Sequence, residues 1–285
     1  MRHLCCKNRL FILVYILALS IIGVAIFKFL TSFNPKSAVV YYGDKHPSDR
    51  LETFDIIILE SGNVDTNTEG FKKNREKIFT YVSIGEVEKN RSYYSQIKQE
   101  WLGGENKLWK SKLLDLSKEG YKNFLIDSVI TDLIKKGYKN FFFDTVDSYH
   151  LLPLTEKEKL SYELEIVDFL KKLKTKYPNI KIILNRGFEI IDRAYPYING
   201  VLFESLFYGL DHKTLDYRQV PYKDREWLLA KVKMIQSYKL PVIALDYLPP
   251  KEMKKAKVVA KKIHDLNIIP YIGDKYLQAI GVSYR

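Results

Sequence analysis

The chain has 285 residues, and its 46 lysines and arginines against 34 aspartates and glutamates leave a formal net charge of +12. Both cysteines, Cys5 and Cys6, precede the first long apolar run, so the rest of the chain holds neither a disulfide framework nor a thiolate zinc site. The five histidines (His3, His46, His150, His212, His264) are scattered with no H-E-x-x-H pairing, which argues against a protein-built transition-metal site, and no cofactor is expected.

The N-terminal "MRHLCCKNR" carries Arg2, Lys7 and Arg9 with no acid, and "LFILVYILALSIIGVAIF" at 10–27 carries no charge at all. An apolar run of that length suits a bilayer-spanning helix, and its basic flank keeps the N-terminus cytoplasmic. No A-x-A-like cleavage site follows cleanly, which favours an uncleaved anchor over a removed signal peptide. The expected organisation is a basic stretch at 1–9, a transmembrane signal-anchor at 10–30, a linker at 31–36 and an extracytoplasmic domain at 37–285. That places the protein at the cell membrane as a single-pass protein, or makes it secreted if the segment is cut. Arg2, Lys7, Arg9, Lys28 and Lys36 carry +5 of the net +12, leaving +7 on the exported part. Most of that charge lies on helix faces such as "KKLKTK" and "KEMKKAKVVAKK", which read as solvated surface or as a basic side facing acidic lipid or cell wall. With no recognition motif, nucleic acid is not an expected partner.

Beyond residue 37, short apolar β-rich runs alternate with longer amphipathic ones. The strand candidates are "AVVYYG" (38–43), "DIIILES" (55–61), "IFTYVSIG" (78–85), "NFFFDT" (140–145), "IKIILNRG" (180–187), "GVLFES" (200–205), "PVIALDY" (241–247) and "IIPYIGD" (268–274). Most are continuously apolar, as parallel strands covered on both faces are. "YKNFLIDSVITDLIKKG" sets Phe124, Leu125, Val129, Leu133 and Ile134 on one stripe and stops at Gly137. A second helix opens on a Thr155/Glu158 capping box and ends before Pro178, and "YKDREWLLAKVKMIQSYK" and "EMKKAKVVAKKIHDLN" have the same character. The segments after the first two strands are short and weakly patterned, which predicts an irregular early helix. "GYKNF" occurs at 120–124, leading into helical spacing, and at 137–141, leading into Phe-Phe-Phe, so the same letters are expected to start a helix once and a strand once. Eight strands with intervening helices in about 250 residues predict an α/β fold, a single (β/α)8 TIM-type barrel behind the N-terminal anchor, and a monomer is expected.

The functional face of such a barrel lies at the C-terminal ends of its strands. Those ends are Gly43-Asp44, Glu60-Ser61, Gly85-Glu86, Asp144 with Asp147, Asn185-Arg186, Glu204, Asp246 and Gly273-Asp274. One strand-end acid commonly caps a helix or meets water in a loop. Acids around a whole rim, with Tyr41, Tyr42, Tyr81, Tyr149, Tyr208, Tyr247 and Tyr271 nearby, point to carbohydrate. Glycoside cleavage needs one protonated carboxyl to donate to the leaving oxygen and one ionised carboxyl to attack or to activate water.

The stretches "YVSIGEVE", "WLGGENKLWKSKLLDLSKEGYKNFLIDSVITDLIKKGYKNFFFDTVDSY", "ILNRGFE" and "VLFESLF", in this order and spacing, resemble glycoside hydrolase family 114, the endo-α-1,4-polygalactosaminidase group, over about Val39 to Ile272. The resemblance implies an eight-stranded barrel that hydrolyses α-linked galactosamine-type polymer without a cofactor. Its catalytic pair falls on the fourth-strand Asp144 and the sixth-strand Glu204, the two ends that strand counting also reaches. By parallel with other α-glycoside barrels, Asp144 is assigned as nucleophile and Glu204 as acid/base, a retaining scheme that expects carboxyl groups about 5 Å apart. The family pattern also makes Glu86 and Asn185 substrate contacts. Asp147 either binds a sugar group or caps the next helix, Asp246 either holds a cationic sugar or caps a loop, and Asp44, Tyr149 and Tyr247 complete the candidate binding set. Arg186 departs from the family pattern by placing a cation beside Asn185, which disfavours a positively charged sugar. The rival readings are a non-catalytic carbohydrate-binding protein on the same barrel and an envelope assembly protein that uses its basic helices.

Overall fold

The computed structural model describes residues 33–44, 48–211 and 213–284, so the anchor predicted at 10–30 lies outside the described residues. No helix among the described residues is long and apolar enough to cross a membrane. Three parallel strands open the fold: β1 (Ala38–Tyr41), β2 (Ile56–Leu59) and β3 (Ile78–Ser83). Next come three short strands, β4 (Glu86–Val87), β5 (Leu102–Asn106) and β6 (Ser111–Leu114), which form an antiparallel sheet of their own in the order β4-β6-β5. The main sheet resumes with β7 (Asn140–Asp144), β8 (Lys181–Asn185) and β9 (Gly200–Glu204). After a hairpin of β10 (Tyr208–Leu210) and β11 (Tyr217–Gln219) it continues with β12 (Val242–Tyr247), β13 (Ile269–Gly273) and the terminal β14 (Val282–Ser283).

All eight predicted strands form, and they pair in parallel in chain order, with β14 added antiparallel to β13. The result is a nine-stranded barrel-like sheet, nearly closed. At the seam β1 runs beside β13 without a ladder among the described residues, and Tyr42 N donates to Leu277 O at 2.7 Å. The eight strands are buried along almost their whole length, which is why they read as unbroken apolar runs rather than alternating ones.

Among the described residues the first two crossovers hold short helices, α1 (Ser48–Leu51) in the first and a 3-10 turn at Ser61–Asn63 with α2 (Glu69–Asn74) in the second, matching the weak early pattern. The third contains the antiparallel insert, which the sequence reading did not foresee, followed by α3 (Glu119–Phe124), a π-helical turn at Leu125–Ile130 and α4 (Thr131–Lys135). That run stops at Gly137, whose φ of +101° suits a residue without Cβ. The two copies of "GYKNF" therefore do start a helix and a strand respectively, because the apolar spacing that follows each copy decides. In α5 (Glu156–Lys176) the capping box closes as predicted: Thr155 Oγ1 accepts from Glu158 N, and Glu158 Oε2 accepts from Thr155 N at 2.7 Å. A short α6 (Ile191–Ala194) and the longer α7 (Tyr222–Ser237) and α8 (Met253–His264) complete the set.

Candidate active site

β7, β8 and β9 are consecutive neighbours, so the last residues of three adjacent strands, Asp144, Asn185 and Glu204, come together at one end of the sheet. The Asn185 side chain joins the two acids. Its Nδ2 donates to Asp144 Oδ1 at 2.8 Å and to Glu204 Oε1 at 3.1 Å. Those two oxygens can therefore be no farther apart than the two legs laid end to end, 5.9 Å. The other oxygen of each acid is held by a phenol: Tyr81 donates to Asp144 Oδ2 at 2.8 Å, and Tyr247 donates to Glu204 Oε2 at 2.5 Å.

Burial pushes both carboxyls above their ordinary range. Glu204 rises to about 7, chiefly through desolvation and helped by the charge of Asp144, against the hydrogen bonds from Tyr247 and Asn185. Asp144 is also raised by burial, while the bonds from Tyr81 and Asn185 favour its ionised form. Both residues are half-buried, unlike the fully enclosed strand residues before them. Burial, helped by the charge of Asp144 at Tyr42 and Tyr81 and by that of Glu204 at Tyr247, raises these three phenols well above the usual tyrosine value, which keeps them proton donors.

The backbone turns sharply around this pair. Thr145 and Arg186, each directly after a site residue, both have φ of +61°, a region that costs a side-chain-bearing residue about 1 kcal/mol. Thr145 is anchored there because its Oγ1 meets Ser83 Oγ at 2.8 Å and accepts from Gly85 N at 2.9 Å. A Cβ at Gly85 would lie 2.3 Å from Thr145 O, so only glycine allows this approach. The Glu204–Ser205 peptide is cis.

Several predicted binding residues take other positions. Asp246 is fully buried and engaged by backbone: its two oxygens accept from the N–H groups of Leu206, Phe207 and Tyr208 at 2.6, 2.8 and 2.8 Å. It holds the loop that follows Glu204, so the loop-capping alternative describes it. Glu86 is buried too, accepting from Ser148 Oγ at 2.6 Å, Asn106 Nδ2 at 3.1 Å and Ser111 Oγ, and it fastens the antiparallel insert to the loop after β7. Tyr149 is buried, stacks on Tyr162 with ring centroids 5.1 Å apart, and donates to Glu163 Oε1 at 3.0 Å, which turns it toward α5. Asp44 is exposed in the loop after β1 and has no hydrogen bond to the pair among the described residues. Asp147 makes no side-chain cap bond to the turn that follows. It accepts from Arg186 Nε at 2.9 Å, so the cation that seemed to bar a charged sugar is already paired.

The opposite wall was not foreseen in this form. Tyr42 packs edge-on against Tyr81, with ring centroids 5.6 Å apart. The Arg91 guanidinium lies 5.0 Å over the Tyr81 ring while its NH1 donates to both oxygens of Glu60 at 2.9 Å. Tyr81 had been counted among the aromatic faces, yet it acts here through its hydroxyl. Its place two residues before Ser83 on β3, where the period of two repeats the facing, was a usable signal. Arg91 sits in a segment without periodicity, and nothing in the sequence marked it.

Two carboxyls bridged across the mouth of a parallel barrel, one of them with its proton held near neutrality, form the arrangement that glycoside hydrolases use. The family model for glycoside hydrolase family GH114 matches residues 30–285, and the chain belongs to that family. The fold is similar to that of the glycoside hydrolase domain of PelA from Pseudomonas aeruginosa, with a TM-score of 0.80 and 27% identity, covering 88% of this chain and 99% of that one. It is also similar to Aspergillus fumigatus Ega3, solved in complex with galactosamine, with a TM-score of 0.63 and 16% identity over 87% and 95% of the two chains; that likeness is one of fold. No curated protein gives a significant sequence match. The protein is a glycoside hydrolase.

Proposed function

We propose that the protein is a membrane-tethered extracytoplasmic glycosidase that cuts α-linked galactosamine or N-acetylgalactosamine polymer internally, with retention of configuration. The observation that carries the chemistry is the Asn185 amide donating to Asp144 and Glu204 at once. An upper limit of 5.9 Å between the bridged oxygens falls short of the roughly 6.5–9.5 Å that an inverting pair leaves for water and suits the roughly 5–5.5 Å of a retaining one.

In this reading Asp144 attacks the anomeric carbon while Glu204 gives its proton to the glycosidic oxygen. The carbon–oxygen bond breaks, the leaving chain departs with the proton, and a covalent glycosyl ester remains on Asp144. Glu204, now ionised, takes a proton from water. The resulting hydroxide attacks the same carbon, releases Asp144 and leaves Glu204 protonated again. Two carboxyls this close favour one shared proton, and burial holds Glu204 at about 7, so that it carries a proton near neutrality. Tyr81 and Asn185 keep Asp144 ionised and aimed.

The galactosamine bound in the Ega3 structure supports the amino-sugar class. The uncharged stretch at 10–27 supports the tether. Incubating the purified protein with galactosamine and N-acetylgalactosamine polymers, and reading product length and the anomer first formed, tests all but the tether. Short internal fragments with retained anomer are expected from the parent, and Asp144→Asn and Glu204→Gln should each lose at least about 10³-fold in turnover. No cleavage by the parent, with glycan binding unchanged in Glu204→Gln, would make this a binding protein instead. Recovery of the protein in alkali-washed membranes tests the anchor.

A further inference from the structure

We infer that the first two turns of α7 form a second carbohydrate site, which takes the pyranose rings of the glycan on the leaving-group side of the cleaved bond. The inference rests on the reading of Glu204 as the proton donor. The acid protonates the oxygen of the departing chain, so that chain leaves across the loops nearest Glu204.

Those loops carry an unusual series of ring faces. Phe188, three residues past Asn185, meets Trp227 edge-on with centroids 5.6 Å apart. The Arg186 guanidinium lies 5.4 Å over the Phe188 ring, and its NH1 reaches the carbonyl of Glu204 at 3.5 Å. The contacts thus run unbroken from Glu204 through Arg186 and Phe188 to Trp227. On the other side, Phe207 lies three residues past Glu204 on the loop that Asp246 fixes, and Arg225 spans it and Tyr222, with its guanidinium 5.3 and 5.4 Å from the two ring centroids.

Core packing does not account for the outer members. Trp227 is 46% exposed and Tyr222 69% exposed, on a helix whose apolar stripe, Leu228, Val232 and Ile235, is already buried. Lys231 stands 5.3 Å over the indole, so Trp227 is braced by a cation and by the Phe188 edge while much of its surface stays open. Rings held in this way offer apolar area to a sugar face at little further entropic cost. Arg186 also bonds Asp147 on the loop after the nucleophile, so it is Phe207, on the loop directly after Glu204 and tied to Tyr222 by Arg225, that sets the start of α7 on the acid's side and decides which end of the polymer the rings hold.

The test compares Trp227→Ala and Trp227→Phe with the parent on two substrates: galactosamine polymer, and α-galactosaminyl fluoride, which carries no sugar on the leaving side. Trp227→Ala is expected to lower kcat/KM for polymer about tenfold, which is the effect of losing one stacked ring. It should leave the fluoride rate and the melting temperature unchanged, and Trp227→Phe should recover most of the loss. An equal effect on both substrates, or none on either, would overturn the second site while leaving the hydrolase reading intact. A parent that cleaves neither substrate would overturn the hydrolase reading and the second site with it.

Discussion

Tyr247 donates to Glu204 Oε2, and that bond favours the ionised carboxylate, so it restrains the rise that burial causes. Removing the hydroxyl in Tyr247→Phe should push Glu204 above its present value of about 7. In the proposed scheme Glu204 works protonated, so the alkaline limb of the kcat profile should move to higher pH, and a pH–rate series on polymer checks it. Glu204 also affects stability. Its folded value of about 7 lies above the ordinary 4.5, so the proton is bound more tightly in the native state. The associated stability is complete below pH 4.5 and is lost as the pH rises through about 7. Glu204→Gln abolishes that titration. At pH 8 the variant should be more stable than the parent by about 2 kcal/mol, allowing for the solvent that still reaches the group, or roughly 5 °C in a calorimetric melt.

At the scale of elements, two buried carboxylates fasten loops that the barrel alone would not order. Asp246 gathers three successive N–H groups of the segment after β9. Burial raises it to about 6 in spite of those donors, so the arrangement is held against a desolvation cost. Asp246→Ala leaves the donors without their acceptor, and a loss of about 3 kcal/mol in urea unfolding is expected, together with a fall in turnover as the Glu204 loop relaxes. Glu86 does the same for the antiparallel insert through Ser111, Ser148 and Asn106. Glu86→Ala should free the insert, and protease cuts between Leu102 and Ser111 should appear several-fold faster than in the parent, as local opening of a weakly packed unit requires.

For the whole molecule, the eight parallel strands converge on one mouth, and the acids there titrate as a pair. In the proposed scheme the acid limb of the rate profile reports ionisation of Asp144 and the alkaline limb loss of the Glu204 proton at about 7, so the parent should show a bell that declines above neutrality. Much of this molecule was readable from its letters. Buried parallel strands need unbroken apolar runs, so "NFFFD" and "GVLFE" announced themselves, and their last residues had to stand at the functional end. The antiparallel insert was not readable, because its strands are short and β5 is largely exposed, with no apolar run to mark it.

The chain alone thus determined the eight strands, their order and the two acids at the ends of the fourth and sixth. Only the tertiary structure decided which other polar groups face the mouth. Neighbouring residues on a strand point to opposite sides, so of Asp246 and Tyr247 only Tyr247 reaches Glu204. The partners that fix each direction lie far along the chain, as Asn106 and Ser148 do for Glu86, and composition carries no record of such meetings.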